Sequence, residues 1–406
     1  MRILVLDTIH GGDELGKAFA SAGHAVDMVD VYRNTTPQAA RNAAICTYDL
    51  VVAPVHLDPD NPFLARKTIP VISAHEAVRQ LLGDAVPTPM IEITGARGKT
   101  TTAHALAHLM TGPGVLHTSA GTYAYPDRTF LWRKSITPAS VLAAARYART
   151  INGWLIAEES LGVTGAGSLA IITSPGDYPC AAGKKSALAE KCASAKHSPH
   201  LLLAKGVRCE DRKGVIHLED VAECNGHDCR IKIGDSINTF SNPLLELPAY
   251  RTALALAGAA AVMLGIDPAP LKTFDALTGR MSVLHEKGVV IIDNANSGTN
   301  AATTVEAARY ARDCAGMPDL TLVIGTVPGD GAVCEGFSYS EIAHAIRHVQ
   351  PNHIILVGRV PEPATGTQGR SGWNIDAECT TLKEAQQLAV DMTEKGSIVL
   401  AVKTWR

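Results

Sequence analysis

Pro89-Met-Ile-Glu-Ile-Thr-Gly-Ala-Arg-Gly-Lys-Thr-Thr-Thr102 has the pattern of a short buried strand, a glycine loop and a helix. Gly95 and Gly98 allow the backbone to turn tightly enough to direct several N–H groups at one anion. Lys99 adds a positive charge, and Thr100 is placed to hold a Mg²⁺ ion carried with a nucleotide. The stretch therefore predicts a phosphate-binding loop for MgATP, with nucleotide contacts from Gly95, Ala96, Arg97, Gly98, Lys99, Thr100 and Thr101.

This loop is shorter than the common P-loop pattern. Two residues, Ala96 and Arg97, separate its glycines, and Ile93 stands where the first glycine of the common pattern would fall. A glycine-rich turn that only caps a helix from Thr100 to Met110 is the structural alternative. The adjacent Gly-Lys-Thr favours phosphate binding over that alternative.

Length and charge limit the class of protein. A chain of 406 residues is expected to form about three domains. Lys and Arg total 37 against 40 Asp and Glu, so there is no basic field for nucleic acid and no polybasic patch for a membrane. The chain opens on a strand pattern, Arg2-Ile-Leu-Val-Leu-Asp7, without a signal peptide, and it has no long apolar run. We expect a cytoplasmic protein whose partners are small molecules.

The nine cysteines are irregularly spaced, which predicts reduced thiols rather than a disulfide framework. Cys224-Asn-Gly-His-Asp-Cys229 could bring two thiols and His227 to a metal ion. It lacks the second pair of ligands that structural zinc sites usually have, so a surface turn is the favoured interpretation.

Strands and helices alternate along the chain, which predicts an α/β fold with parallel sheets. The Pro-rich stretch Val86-Pro-Thr-Pro89 is interpreted as a linker. Gly11-Gly12 falls at the first turn from strand to helix, where open α/β sheets bind their ligands, although a sharp turn alone also explains two glycines. The predicted domains are residues 1–88, 89–278 and 279–406.

Further along the chain, Trp154-Leu-Ile-Ala-Glu-Glu-Ser160 places two carboxylates after an apolar strand, where Glu158 could hold Mg²⁺. Helix capping or solvent exposure is the alternative for these carboxylates. Thr137-Pro138 has the chemistry of a helix start. By default, Lys184, Lys185 and Lys191 are expected on a solvated helix face.

These elements, in this order, resemble the Mur ligase family of ATP-dependent ligases. The resemblance covers nearly the whole chain and includes the family's shorter phosphate loop, Thr-Gly-x-x-Gly-Lys-Thr-Thr. The matching elements are Thr94 to Thr101, Gly121-Thr122, Thr137-Pro138, Glu158-Glu-Ser160, Gly279-Arg-Met281 and Asp293-Asn-Ala-Asn-Ser-Gly298.

The resemblance implies three domains: a Rossmann-like N-terminal domain, a central P-loop ATPase domain and a Rossmann-like C-terminal domain. It also implies that Lys99 and Arg280 contact the transferred phosphoryl group and that Thr100 and Glu158 hold Mg²⁺. Lys191 corresponds by distance along the chain to the lysine that many members carbamylate. Further nucleotide contacts are implied for Asp293 and Asn296.

The chain also departs from the family pattern. Ser174-Pro-Gly-Asp177 replaces an Asp-His pair that helps to hold metal, and Asn296 stands at a histidine position. The family's His-Asn is absent near Tyr250-Arg251. Gly325-Thr-Val-Pro-Gly-Asp330 replaces the loop that anchors an incoming amino acid in some members. Recognition of an amino acid is therefore poorly supported.

Within the family, the opening Asp7-Thr-Ile-His-Gly-Gly12 most resembles a compact branch from methanogenic archaea. That likeness implies that ATP phosphorylates a propionate of a nickel seco-tetrapyrrole acid and that a ring carbon attacks the acyl phosphate. Substrate contacts are then expected from Thr8, His10, Gly11 and Gly12. An amide-forming ligase and a regulatory nucleotide-binding protein are the alternatives; a dinucleotide-dependent oxidoreductase ranks last, because the first segment lacks a three-glycine fingerprint.

Overall fold

The computed structural model describes residues 1–64, 69–210, 212–316, 319–327, 337–358 and 373–404. The chain packs into two compact units, Met1–Phe274 and Asp275–Arg406. The first unit contains two of the large sheets and the second unit contains the third. The domain limits at 88/89 and 278/279 stay predictions, and the first of them falls inside the first unit.

The N-terminal sheet is built from four parallel strands. They are β1 (Arg2–Val5), β2 (Ala25–Met28), β3 (Leu50–Ala53) and β4 (Val71–Ser73), and the helices between and after them are α1 (Gly12–Ser21), α2 (Pro37–Ile45) and α3 (Ala74–Leu82). The strand order is β2-β1-β3-β4. Ile3 and Val5 face one apolar core and Leu4 faces another, as expected for a sheet covered on both faces.

The central sheet positions the phosphate loop. Its strands are β5 (Met90–Thr94), β6 (Gly114–Thr118), β7 (Gly121–Tyr125), β8 (Thr129–Trp132), β9 (Trp154–Glu158), β10 (Leu169–Ile172), β13 (His200–Leu203) and β14 (Val215–His217). A separate antiparallel hairpin of β11 (Pro179–Cys180) and β12 (Lys185–Ser186) follows β10. The order of the large sheet is β14-β13-β10-β5-β9-β6-β7-β8, in which β7 pairs antiparallel with both β6 and β8.

Helices cover this sheet. They are α4 (Lys99–Leu109), α5 (Pro138–Thr150), α6 (Ala187–Ala195), α7 (Leu218–Val221) and α8 (Pro248–Met263). The alanine-rich α8 packs closely against α4, as its small residues predict.

An antiparallel sheet that the sequence patterns did not predict lies against α8. Its strands are β15 (Ala222–Asn225), β16 (Asp228–Ile233) and β17 (Ser236–Ser241). A Cβ on Gly258 of α8 would lie 2.6 Å from Cδ1 of Ile231 and 3.0 Å from Cε1 of Phe240. This glycine therefore allows the helix to approach the sheet closely.

The expectation of reduced thiols is wrong for four cysteines. Disulfides join Cys192 to Cys209 and Cys224 to Cys229. The second disulfide closes the turn between β15 and β16, which removes both thiols from metal binding. His227 lies 3.1 Å from Glu246 instead, and the described residues contain no group of three side chains suited to a metal ion. The interpretation as a surface turn therefore holds.

The C-terminal sheet is parallel except for its first strand. Its strands are β18 (Ser282–Glu286), β19 (Val289–Asp293), β20 (Leu320–Thr326), β21 (His353–Gly358), β22 (Ala377–Cys379) and β23 (Ser397–Lys403), and its helices are α9 (Ala301–Ala315), α10 (Tyr339–Val349) and α11 (Leu382–Met392). The strand order is β18-β19-β23-β20-β21-β22, with β18 antiparallel to β19. In the described ranges, no helix combines the length and the apolar character that a membrane crossing requires.

Candidate active site

The phosphate loop connects β5 to α4, as predicted. Gly95 has φ +147° and Gly98 has φ +81°, both in the region that favours glycine. A Cβ on Gly95 would lie 2.2 Å from Oγ1 of Thr173 and 3.0 Å from its backbone nitrogen, so a larger residue would displace the end of β10. Gly95 is thus needed for the close approach to Thr173, and Gly98 is needed for the left-handed conformation at the residue before α4.

Two backbone amides of the loop converge on a single oxygen. The N–H groups of Ala96 and Arg97 both donate to Oγ of Ser174, and each donor–acceptor distance is 3.1 Å. Thr173 donates to the carbonyl of Thr94, which holds the start of the loop. Neither Ser174 nor Thr173 was predicted as part of the site. Their signal is their position directly after β10, because the carboxyl ends of neighbouring parallel strands meet at one edge.

Glu158 is the buried centre of the site. It ends β9, which is the parallel neighbour of β5, and it is 2% exposed. Its Oε2 accepts hydrogen bonds from the Thr100 hydroxyl at 2.8 Å and from the Ser119 N–H at 3.0 Å. Lys99 Nζ lies 3.9 Å from Glu158 Oε1 and donates to the Gly95 carbonyl at 3.1 Å. A buried carboxylate beside a hydroxyl is an oxygen ligand set that suits Mg²⁺.

Lys191 is buried rather than solvated, so its default assignment is wrong. It is 1% exposed, and its Nζ lies 4.6 Å from the centre of the Tyr178 ring and donates to the Ala187 carbonyl. Burial, and then the positive charge of Lys99, lower the pKa of Lys191 to about 8. The electrostatic influence of Lys99 indicates that this amine lies near the phosphate loop.

The other two lysines of that segment are ion-paired at the surface. Lys184 contacts Asp58 at 2.5 Å and Asp60 at 2.6 Å, which ties the β11–β12 hairpin to the loop after β3. Lys185 lies 3.3 Å from Glu190. Both lysines belong to the hairpin or its turn. The expectation that they lie on a helix face is therefore wrong.

The predicted substrate motif forms the turn between β1 and α1. Thr8 and His10 are half-buried there. A Cβ on Gly12 would lie 1.8 Å from the Asp7 carbonyl oxygen, so the tight turn requires this glycine. A Cβ on Gly11 would lie 2.6 Å from Cβ of Ala139, near the start of α5. The motif therefore packs against α5, and its contact with substrate stays a prediction.

The second carboxylate of the pair, Glu159, differs in role from Glu158. Glu159 is completely buried beside Glu92, whose Oε2 accepts from the Gly167 N–H at 2.8 Å. Burial, and then the charge of Glu92, raise the pKa of Glu159 well above its usual value. The raised pKa favours the protonated form of Glu159, which is a poor ligand for a metal ion.

Arg280, Asp293 and Asn296 belong to the second unit. Asn296 Nδ2 donates to the Gly279 carbonyl at 2.7 Å, and its Oδ1 accepts from the Gly298 N–H at 2.8 Å. Asp293 Oδ1 accepts from the Ala295 N–H at 3.1 Å. The structure thus brings Asn296 beside the residue that precedes Arg280. Nucleotide contacts for all three stay predictions, and the Gly325–Asp330 segment lies partly outside the described residues.

Comparison with known proteins identifies the relatives. A family model described as "Coenzyme F430 synthetase CfbE, C-terminal domain" matches residues 283–404. The coenzyme F(430) synthetase of Methanosarcina acetivorans is 31% identical, and the match covers 100% of this chain and 99% of that protein. The coenzyme F(430) synthetase of Methanocaldococcus jannaschii is 22% identical, and the match covers 87% of this chain and 90% of that protein.

Solved structures share the fold at low sequence identity. The UDP-N-acetylmuramoylalanyl-D-glutamyl-2,6-diaminopimelate--D-alanyl-D-alanyl ligase from Acinetobacter baumannii superimposes with a TM-score of 0.56 at 14% identity, covering 93% of this chain and 86% of that one. A bifunctional folylpolyglutamate synthase/dihydrofolate synthase with Mn, AMPPNP and L-glutamate bound superimposes with a TM-score of 0.52 at 14% identity. The match covers 81% of this chain and 90% of that one. On its full-length identity to the Methanosarcina protein, the chain belongs to the coenzyme F(430) synthetase family, and it has the three-domain α/β fold of the Mur ligases.

Proposed function

We propose that the protein is an ATP-dependent ligase that closes the carbocyclic ring of a nickel seco-tetrapyrrole acid to give coenzyme F(430), releasing ADP and phosphate. The observation that carries the proposal is the contact of Lys99 and Thr100 with the buried Glu158. A protein that only senses a nucleotide does not need this carboxylate. Full-length identity to a named coenzyme F(430) synthetase supports the substrate.

The proposed cofactors are ATP and Mg²⁺. Residues from Gly95 to Thr101 would bind the phosphates through backbone N–H groups and Lys99, while Thr100 and Glu158 would hold the metal ion. When bound, Mg²⁺ would neutralise charge on the phosphates. The folylpolyglutamate synthase structure, which has Mn and AMPPNP bound, supports a metal–nucleotide complex on this fold.

The reaction begins with activation of a carboxylate. A carboxylate is a poor electrophile until one of its oxygens becomes a good leaving group, and transfer of the γ-phosphoryl group achieves this. Lys99 would stabilise the charge on the transferred group, and Arg280 is the second candidate for that role. Water would have to be kept from the acyl phosphate to prevent its hydrolysis.

Ring closure then needs no second substrate, because the nucleophile is a carbon of the same macrocycle. The proposed partner is therefore one small molecule, without nucleic acid or a membrane, and the proposed location is the cytoplasm. An amide-forming ligase is the second candidate, and it is favoured by the folylpolyglutamate synthase likeness. That reaction uses the same activation step and differs in requiring an amine.

The test is ADP release by the purified protein with MgATP under anaerobic conditions, with and without the nickel seco-tetrapyrrole acid. The expected result is stoichiometric ADP together with loss of one water from the mass of the macrocycle, without an added amine. The variant Lys99→Ala should lose both signals, while Lys287→Ala, at an exposed ion pair of the second unit, should keep them. ADP release that depends on an amine would replace the cyclising ligase with the amide ligase.

A further inference from the structure

A carboxylate–imidazole pair occupies the turn after β1. Asp7 is 5% exposed, and its carboxylate accepts the N–H groups of Ile9 at 2.8 Å and His10 at 3.0 Å. The His10 Nδ1 faces the same carboxylate at 3.5 Å and is shielded from water. Yet 35% of the His10 side chain is exposed. The exposed surface of the His10 side chain therefore belongs to atoms other than Nδ1.

Asp7 fixes the tautomer of this histidine. Burial alone would raise the pKa of Asp7, but hydrogen bonds from His10 and Ile9 outweigh burial and lower that pKa below its usual value. Asp7 is thus a carboxylate at neutral pH, and a carboxylate facing Nδ1 favours the tautomer that carries its proton there. The lone pair is left on Nε2, as in other pairs in which an acid orients a catalytic imidazole.

Two neighbouring rings hold the orientation of His10. His56 packs edge-on at 4.7 Å between ring centres, and Tyr32 packs edge-on at 5.1 Å. Burial, and then the charge of His10, lower the pKa of His56 to about 4, so His56 stays neutral at neutral pH. Of these two neighbouring imidazoles, His10 is the one whose Nδ1 faces a carboxylate.

This turn lies beside the catalytic end of the central sheet. Gly11, the next residue after His10, packs against Thr137 and Ala139 at the start of α5. His75 Nε2 lies 3.0 Å from the carbonyl of Ser160, two residues beyond Glu158. The turns after β1 and β4 thus contact the start of α5 and the segment after β9, the strand that Glu158 ends.

The proposed ring closure needs a base in addition to activation. A C–C bond forms between the ring carbon and the acyl carbon, the acyl C–O bond breaks, and phosphate leaves with the electron pair. The ring carbon must also lose its proton, which neither ATP nor phosphate-binding residues remove. Resting on that proposed function, we propose that His10, oriented by Asp7, is the general base that takes this proton on Nε2.

The two half-reactions test this role. In His10→Asn, MgATP and the nickel seco-tetrapyrrole acid should still give ADP, and hydroxylamine should trap the acyl phosphate as a hydroxamate. Ring closure, followed by mass, should fall by about 100-fold or more, the range for loss of a general base. Added imidazole should partly restore ring closure in His10→Gly. Asp7→Asn should also lower ring closure, measured at a temperature at which thermal unfolding shows the variant to be folded.

The matched control is His24→Asn, which changes the same residue type in the turn before β2, at the opposite end of the parallel strands. It should leave both half-reactions unchanged. Ring closure at the wild-type rate in His10→Asn would overturn the proposal. Equal loss of ADP release and ring closure would also overturn it, because His10 would then act in binding or activation. Failure of the wild-type protein to release ADP with the acid would instead refute the proposed function itself.

Discussion

The hydroxyl of Thr100 donates a 2.8 Å hydrogen bond to Oε2 of Glu158, although 58 residues separate them along the chain. The contact exists because β5 and β9 are parallel neighbours, so that the start of α4 and the end of β9 meet at one sheet edge. In the metal-bound site, both oxygens would face the same cation.

The first prediction concerns this pair. Thr100→Val removes the hydroxyl and leaves a buried carboxylate without one partner, which should weaken MgATP binding by about tenfold to a hundredfold. Thr100→Ser keeps the hydroxyl and should bind within a few-fold of the wild type. Calorimetric titration with ATP in Mg²⁺ and in EDTA measures the effect. Equal affinities for the valine and serine variants would argue against a metal site at Thr100.

The second prediction tests the packing of the phosphate loop. Gly95→Ala should abolish ATP binding, because its Cβ would collide with Thr173 as well as require a positive φ. Gly112→Ala is the control, since Gly112 has φ +72° and open space where a Cβ would be added. The Gly112→Ala variant should lose only the free energy of placing a Cβ at a positive φ, about 1 to 2 kcal/mol of stability, and should still bind ATP. If both variants bind ATP equally, close packing against Thr173 is not what requires Gly95.

The third prediction concerns Lys191. With a pKa of about 8, about one tenth of this amine is unprotonated at pH 7, whereas an ordinary lysine is unprotonated in fewer than about one molecule in a thousand. The neutral amine is the form that adds CO₂. We therefore expect a carbamate signal in ¹³C NMR after incubation with labelled bicarbonate. Lys191→Met should lose the signal and Lys184→Met should keep it; a signal unaffected by Lys191→Met would assign the carbamate elsewhere.

The fourth prediction is a dependence of stability on pH. The folded protein holds a proton on Glu159 that the unfolded chain releases above the usual pKa of 4.5. Because the folded state binds more protons, this residue favours folding less as pH rises from 4.5 towards its raised pKa. Glu159→Gln removes the titration, so its unfolding temperature should rise relative to the wild type as pH increases above 4.5. A constant difference over that range would show that Glu159 is ionised in the fold.

Local patterns predicted the repeating elements well. The strand expected to begin at Arg2 begins there, and the helix expected from Thr100 to Met110 begins and ends one residue earlier. Glu158 was found because it follows an apolar strand, and the structure places that strand next to the one that leads into the phosphate loop. In these cases, a few consecutive residues contain the physical information that decides the structure.

The remaining features depend on contacts between distant segments. The burial of Lys191 follows from how α6 packs beneath Tyr178, which no helical pattern contains. His56 and Tyr32 reach His10 only because three successive strands end at one edge. Cysteine spacing could not reveal the pairing of Cys192 with Cys209, because the chain between them must fold back to bring the sulfurs together.

The two hydrogen bonds from the phosphate loop to Ser174 Oγ should favour tight binding of a nucleotide. The amides of Ala96 and Arg97 already point at one oxygen, so their ordering is achieved during folding rather than at encounter with a nucleotide. Such preorganisation reduces the entropy lost on binding. An incoming phosphate oxygen then exchanges places with a serine hydroxyl, one acceptor for another, and the backbone keeps its shape.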